Sequence, residues 1–185
     1  MSKPLKKGAT YDDLCAVPEN FVAEILAGEL YASPRPASPH ARAAGTLFRT
    51  LSGPFEDGEN GPGGWWFIIE PELHFGADVV VPDVAGWRRE RMPTVPNVAH
   101  FALAPDWLCE VLSPSTKAID RGKKLPIYAR EGVGRVWVVD PLQQTLEVLR
   151  LESQRWSVAA THEADAEVRA EPFDAIELAL RALWL

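Results

Sequence analysis

The feature that most constrains the fold is a helix-forming segment enclosed by two apolar runs. The runs are DWLCEVLS at residues 106–113 and RVWVVDP at residues 135–141, and PSTKAIDRGKKLPIYAREG lies between them. Short runs rich in Val, Leu and Trp are typical of buried strands. Two strands of one sheet that are joined through a helix pair in parallel, with a right-handed crossover. Pro126 lies inside the helical segment and is expected to kink or split it.

The rest of the chain adds further strands and helices to this unit. Thr10, with Asp13 three residues later, predicts a short helix over residues 11–16, and the apolar runs around Ala27-Gly28 predict a hairpin. We expect an α/β or α+β fold, with a mixed central sheet and flanking helices, in a single domain spanning residues 1–185. The other predicted elements are a helix from Ser38, the strands WWFIIEPELHF (65–75) and VVVPDVAGW (79–87), a hairpin of TLEVLRL (145–151) with RWSVAAT (155–161), and a C-terminal strand or short helix.

Composition restricts the classes of function. A net charge of −7 argues against a basic surface across the whole chain. No apolar run reaches the length of a membrane span, so we expect a cytoplasmic protein without membrane contact. Cys15 and Cys109 have no CxxC or histidine neighbour, which predicts free thiols and no structural zinc. The histidines are scattered without metal-ligand spacing, and no GxGxxG, P-loop, GxSxG or HExxH pattern indicates a nucleotide-dependent enzyme or a serine or zinc hydrolase.

Two acids occupy unusual positions relative to the apolar runs. Asp83 directly follows VVVP, and Glu110 lies within the otherwise apolar DWLCEVLS. An ionised carboxylate in a buried strand is costly unless it is paired or binds a cation. By strand alternation Glu110 shares a face with Leu108 and Leu112, so the strand itself provides no basic partner on that face.

The helix that follows can provide this partner. Asp120, Lys124 and Tyr128 recur every four residues and form one stripe, and Lys117 and Arg121 lie within a turn of it. A helix that packs back on the sheet would bring Lys124 beside the carboxylates. Two acids and a lysine suit a divalent metal ion held by oxygen ligands, with an ammonium that activates water or stabilises phosphate charge.

Each of these residues also has a purely structural interpretation. Asp83 fits a turn, Glu110 fits an ion pair, and Lys124 fits an ordinary helix-surface pair. The basic stretch 117–124 is as compatible with a solvated helix face as with phosphate contacts. His40 follows a predicted helix cap, which favours a cap neighbour or surface residue over a catalytic base.

Several ordered motifs give the chain a family resemblance, from about Tyr11 to the terminal LWL. The motifs are YDDLCAVPE, GEL at 28–30, SPH at 38–40, VVPDVA, EVLSPST at 110–116, DRGKKLPIYAREGV and RVWVVDP. In these motifs the chain resembles the Uma-type restriction endonuclease family, a large bacterial family in the PD-(D/E)-x-K nuclease superfamily. The resemblance implies a restriction-endonuclease-like core with flanking helices and an N-terminal hairpin.

The resemblance also implies roles for individual residues. Asp83 matches the PD aspartate and Glu110 the second acid, and both are implied ligands of Mg²⁺ or Mn²⁺. Leu112 occupies the position where superfamily members usually carry a lysine. The catalytic lysine therefore maps to the following helix, at Lys124 or its neighbour Lys123.

The implied function is a Mg²⁺- or Mn²⁺-dependent endonuclease that hydrolyses phosphodiester bonds of nucleic acid, DNA rather than RNA. Glu29 of GEL matches a family acid that can join the metal site, although a hairpin glutamate is more often solvated. A homodimer is also expected. The alternative is a non-catalytic dimeric binding or scaffold module with the nuclease fold, which a Glu–Lys contact sealed from solvent would favour. The expected nucleic-acid contacts are Lys117, Arg121 and Lys123.

Overall fold

The structure is a computed structural model that describes residues 3–35 and 37–184. Its strands are β1 Lys6–Lys7, β2 Phe21–Leu26, β3 Glu29–Pro34, β4 Trp65–Ile69, β5 Leu73–Phe75, β6 Asp78–Val80, β7 Val84–Arg88, β8 Trp107–Val111, β9 Arg135–Asp140, β10 Thr145–Glu152, β11 Arg155–Glu163, β12 Glu167–Val168 and β13 Leu178–Ala179. Its helices are α1 Tyr11–Cys15, α2 Ser38–Leu51, α3 Lys117–Ile119, α4 Leu125–Arg130 and α5 Arg181–Trp184, with π-helical turns at Ser52–Asp57 and Asp120–Lys124.

A six-stranded mixed sheet forms the centre of the fold, in the order β11-β10-β9-β8-β7-β4. β8 and β9 pair in parallel, and the helical segment between them connects the two strands. β10 and β11 form an antiparallel hairpin. The predicted parallel pair and the predicted C-terminal hairpin are therefore both confirmed.

A second sheet has five strands, in the order β1-β3-β2-β6-β5, and the chain passes between this sheet and the central one. The runs WWFIIEPELHF and VVVPDVAGW were each predicted to be one strand, and both predictions are wrong. Each run is divided between the two sheets, as β4 and β5 in the first case and β6 and β7 in the second. Pro71 lies at the first break and Pro82 at the second. Proline has no N–H to donate to a sheet ladder, which favours a break in strand pairing at both positions.

The connection between β8 and β9 contains one unbroken helical segment whose winding is not α-helical throughout. It consists of α3, the π-helical turn Asp120–Lys124 and α4. Pro126 lies in the first turn of α4. Its ring would clash with the carbonyl four residues earlier in a regular helix, and the wide π turn precedes it instead. Helical residues run without a gap from Lys117 to Arg130, so the helix is not split at Pro126, and the kink stays a prediction.

The two faces of the central sheet pack against different layers. Trp107, Cys109 and Val111 of β8 contribute to a core with α2 and α5. Leu108 and the following Leu112 contribute to a second core with α4, β5 and β6. Glu110 alternates with the first set and therefore faces the second layer, as predicted. Among the described residues, no helix is long and apolar enough to cross a membrane.

Candidate active site

The link between β6 and β7 borders a cavity of about 260 Å³. This link is the Val81-Pro82-Asp83 segment of VVVPDVAGW, where the chain passes from one sheet to the other. Within the described part of the chain, five acids line the cavity; Glu70 pairs with Arg35, and the other four come from separate elements and are called the carboxylate cluster. Its members are Glu24 of β2, Asp83, Glu110 of β8 and Asp120 of the π turn.

Lys124 lies in the middle of this cluster. Its Nζ is 2.9 Å from Oε1 and 3.0 Å from Oε2 of Glu110. It is also 3.0 Å from Oε1 of Glu24 and 3.7 Å from Oδ1 of Asp120. The side chain of Lys124 is only 3% exposed. The stripe of Asp120 and Lys124 on the helix thus meets Glu110, as the sequence spacing predicts.

The backbone of Val81 fixes two of these side chains. Its N–H donates to Oε1 of Glu24 at 2.8 Å. Its carbonyl accepts from Nζ of Lys124 at 2.9 Å. The irregular link between the sheets leaves both backbone groups of Val81 available for this purpose, because a residue inside a regular ladder would use them for strand pairing.

Tyr128 completes the buried part of the site. Its hydroxyl donates a hydrogen bond to Oε1 of Glu110. Burial, with Glu110 adding to its effect, raises the pKa of Tyr128 well above its ordinary value, so the phenol keeps its proton. The π turn continues directly into α4, so Tyr128, four residues after Lys124, reaches the same carboxylate of Glu110.

Burial is the largest influence on the pKa values of the cluster acids Glu110 and Asp120. Burial raises the pKa of Glu110 well above its ordinary value, with Lys124 opposing the shift and Asp120 adding to it. Burial also raises the pKa of Asp120 to about 6, again with Lys124 opposing. For Lys124 burial lowers the pKa, but Glu110 and Glu24 outweigh burial and raise it well above the usual value. Lys124 therefore stays protonated near neutral pH.

Asp83 is held by the backbone of β8 and by a histidine. Its Oδ2 accepts the N–H of Val111 at 2.6 Å, and its Oδ1 is 3.2 Å from Nε2 of His40. Burial lowers the pKa of His40, but hydrogen bonding and attraction to Asp83 outweigh burial, and the net pKa is raised. His40 is 8% exposed and lines the cavity, so the interpretation of it as a surface residue is wrong.

Glu29, a predicted metal ligand, is not among the residues that line the cavity. It accepts a hydrogen bond from the Tyr31 hydroxyl at 2.6 Å and lies 3.0 Å from Nζ of Lys123. Cross-strand pairing of Leu26 with Glu29 places it on the same face of the hairpin as Glu24, but at the turn end. The two adjacent lysines therefore have different partners: Lys124 pairs with Glu24, and Lys123 pairs with Glu29.

The three predicted nucleic-acid contacts lie outside the cavity lining, and each is paired with an acid. Nζ of Lys117 is 2.9 Å from Asp140, and Nη1 of Arg121 is 2.8 Å from Glu147. Lys123 pairs with Glu29, as described above. Besides Lys124 and His40, the cavity is lined by the basic residue Arg35, which was not predicted from the sequence. Its Nη1 lies 3.1 Å from Oε2 of Glu70.

Glu24 is the cluster acid that sequence analysis missed. It lies inside FVAEIL, where an acid among apolar residues gives the same signal as Glu110 in WLCEV. The family resemblance, by contrast, implied Glu29 of GEL as the acid from this hairpin. His40 had no comparable signal, because its burial depends on the packing of α2 against the Asp83 link.

The donor set fits a hard divalent cation. All the cluster acids offer carboxylate oxygens, the ligands that Mg²⁺ and Mn²⁺ prefer in proteins. They outnumber the buried ammonium of Lys124 four to one. Burial is the main cause of the raised pKa of Glu110, and a divalent cation beside this carboxyl would, like Lys124, favour its ionised form.

A mixed sheet flanked by helices, with paired carboxylates and a lysine at the point where strands diverge, defines a restriction-endonuclease-like protein. A family model described as "Putative restriction endonuclease", Uma2, matches residues 9–181, and the chain belongs to this family.

A solved structure has the same fold. It is the crystal structure of a "putative nuclease belonging to DUF820" from Anabaena variabilis, with a TM-score of 0.74 and 23% sequence identity. The similarity covers 95% of this chain and 97% of that one. The mixed α+β, restriction-endonuclease-like fold predicted from the sequence is therefore confirmed. No curated protein matches the chain.

Proposed function

We propose that this protein is a metal-dependent nuclease that hydrolyses phosphodiester bonds of nucleic acid, DNA in preference to RNA. The observation that carries the proposal is the convergence of Asp83, Glu110 and Lys124 on one cavity. They come from a strand link, a central strand and a π-helical turn, which have no common structural need for charged groups. Membership of the restriction endonuclease family supports the same class of activity.

In this proposal Asp83 and Glu110 hold Mg²⁺ or Mn²⁺. Glu24 replaces Glu29 as the candidate third ligand, because Glu24 lines the cavity and Glu29 does not. A divalent ion bound there would polarise the scissile phosphate and lower the pKa of the attacking water. The Val111 N–H holds Oδ2 of Asp83 and Nε2 of His40 lies 3.2 Å from Oδ1, and together these two contacts fix the orientation of this carboxylate.

Lys124 acts through its charge in this proposal. Its acidic neighbours raise the pKa of Lys124, which favours the ammonium form, and an ammonium has no free electron pair with which to act as a general base. Its ammonium, held by the Val81 carbonyl and Glu110, can instead orient water or neutralise charge that develops on the phosphate. Lys117, Arg121 and Lys123 remain predicted nucleic-acid contacts, which requires each to exchange its present carboxylate partner for a phosphate.

A second candidate function is a non-catalytic binding or scaffold module. It is favoured by the burial of the Glu110–Lys124 pair, since both side chains are only 3% exposed. In that case the ammonium is a permanent structural counter-charge for the acid. The homodimer expected for either function stays a prediction, which sedimentation equilibrium of the purified protein would test.

The test combines metal titration with cleavage on the same samples. Wild type, Glu110→Gln and the exposed control Glu59→Gln are titrated with Mn²⁺ and Mg²⁺ by calorimetry, and plasmid nicking is followed in parallel. RNA of matched sequence is the second substrate. Unfolding curves of all three proteins show whether each variant is folded.

The nuclease proposal expects wild type and Glu59→Gln to bind metal and nick DNA faster than RNA, and folded Glu110→Gln to lose both activities. Lys124→Met is then expected to keep metal binding and lose cleavage. If wild type binds no metal and cleaves neither substrate, the scaffold function is supported instead. Equal metal binding and cleavage by Glu110→Gln would also contradict the assignment of Glu110.

A further inference from the structure

Outside the cavity, the fold brings together two histidines and a glutamate that are far apart in sequence. Glu72 and His74 belong to the β5 segment, and His100 lies in the long connection between β7 and β8. Phe101 joins them through the backbone, since its carbonyl accepts the His74 N–H at 2.9 Å and its N–H donates to the Glu72 carbonyl at 2.9 Å. This pairing fixes His100 beside His74.

The side chains of these residues form a compact group that we call the His–Glu cluster. One ligand atom from each of Glu72, His74 and His100 lies within 4.8 Å of the other two. Nε2 of His74 is 2.6 Å from Oε1 of Glu72, and the rings of His74 and His100 stack at 3.8 Å. None of the three residues lines the active-site cavity.

Tyr11 of the N-terminal helix supports this cluster from a third segment. Its hydroxyl donates to Oε1 of Glu72 at 2.8 Å, and its ring packs edge-on against His74. The hydrogen bond to Glu72 raises the pKa of Tyr11 to about 12. A donor that orients a ligating carboxylate in this way is a common feature of metal sites.

We propose that the His–Glu cluster is a zinc site, independent of the proposed nuclease centre. Two imidazole nitrogens and one carboxylate form a three-ligand set that Zn²⁺ binds with a fourth position open to water. Mg²⁺ prefers oxygen ligands, so we expect Mg²⁺ at the carboxylate cluster and Zn²⁺ at the His–Glu cluster. The rings are 14° from parallel, so His100 has to tilt for both nitrogens to converge on one ion. His100 is exposed, and little packing opposes that tilt.

Zinc at this position would join two parts of the chain directly, and a third part through the hydrogen bond of Tyr11 to Glu72. Glu72 and His74 lie at the edge of the five-stranded sheet, His100 lies on the long connection, and Tyr11 lies on α1. Because the unfolded chain does not hold these groups together, zinc binding should stabilise the folded state. Sequence spacing did not indicate the site, since only the pairing at Phe101 brings the histidines together.

The test measures zinc binding directly. Wild type, His100→Asn and the control His162→Asn, all metal-free, are titrated with Zn²⁺ by calorimetry, and with Co²⁺ by visible absorption, which is intense for four-coordinate sites. His162 lies on β11, outside the cluster. We expect wild type and His162→Asn to bind one Zn²⁺ ion and to unfold at a higher temperature with it. His100→Asn should bind at least about tenfold more weakly and lose the Co²⁺ absorption.

Tyr11→Phe provides a second variant that removes no metal ligand. It should weaken zinc binding about tenfold while leaving the Co²⁺ absorption similar in shape, because the ligand set is unchanged. The zinc site is refuted if wild type binds no Zn²⁺, or if folded His100→Asn binds it as tightly as His162→Asn does. The second result would show that His100 is not a ligand of any zinc that binds.

Discussion

Replacement of Asp120 by Asn should stabilise the protein at about pH 8, although it removes a charge from beside Lys124. Asp120 is 5% exposed, and its Oδ1 lies 3.7 Å from Nζ of Lys124. Burial raises its pKa from 3.8 to about 6, with Lys124 opposing this shift and Glu24 adding to it. The attraction of Lys124 is therefore too weak to offset the cost of the buried charge.

The size of the effect follows from this shift in pKa. A raised carboxyl pKa means that the folded state binds more protons than the unfolded state, so stability is lost as pH rises from about 3.8 to about 6. A difference of about two pH units corresponds to about 3 kcal/mol. Asparagine does not titrate, so Asp120→Asn should gain about this amount above pH 6 and almost nothing below the unfolded-state pKa.

Urea unfolding of metal-free protein, followed by circular dichroism across about pH 4 to 8, measures the predicted difference. Asp165→Asn, a change of the same chemistry at an exposed position, is the matched control and should follow the wild type throughout. The reasoning is refuted if Asp120→Asn is less stable than wild type at pH 8. That result would mean that the ion pair with Lys124 outweighs burial.

Three further predictions concern neighbouring groups. Tyr128→Phe removes the hydrogen bond to Glu110 and should destabilise the protein by about 2 kcal/mol in urea unfolding, and no change would contradict the bond. Asp83→Asn removes the attraction that raises the pKa of His40, so NMR titration should show that pKa lower than in wild type, and an equal or higher value would disprove this cause. A thiol reagent should modify exposed Cys15 quickly and the buried second cysteine only after unfolding, and fast reaction of both would disagree with the packing.

The sequence by itself determined the strand–helix–strand unit and the meeting of Glu110 with Lys124. Both depend on short-range periodicity, since alternation in β8 sets the face of Glu110 and spacing in the helix sets the stripe of Lys124 and Tyr128. The departure from a regular helix before Pro126 was also local, because it follows from the missing N–H and the ring of proline itself. Such features need no knowledge of which strands pair.

Only the tertiary structure decided where VVVPDVAGW changes sheets. A local pattern shows that the run is extended, but strand pairing with distant partners decides that Val79 joins Ile25 and Val84 joins Cys109. The Val81 groups that hold Glu24 and Lys124 become available only because the chain leaves one sheet there.

The dependence on distant contacts also explains why Glu24 rather than Glu29 lines the cavity and why His100 lies beside His74. Glu24 and Glu29 lie on one face of the hairpin, and only the position of the lysine-bearing helix decides which of them reaches the cavity. The pairing that sets His100 beside His74 joins segments that are distant along the chain. Local preferences act over a few residues, whereas these contacts arise from packing between whole elements, which the complete fold alone specifies.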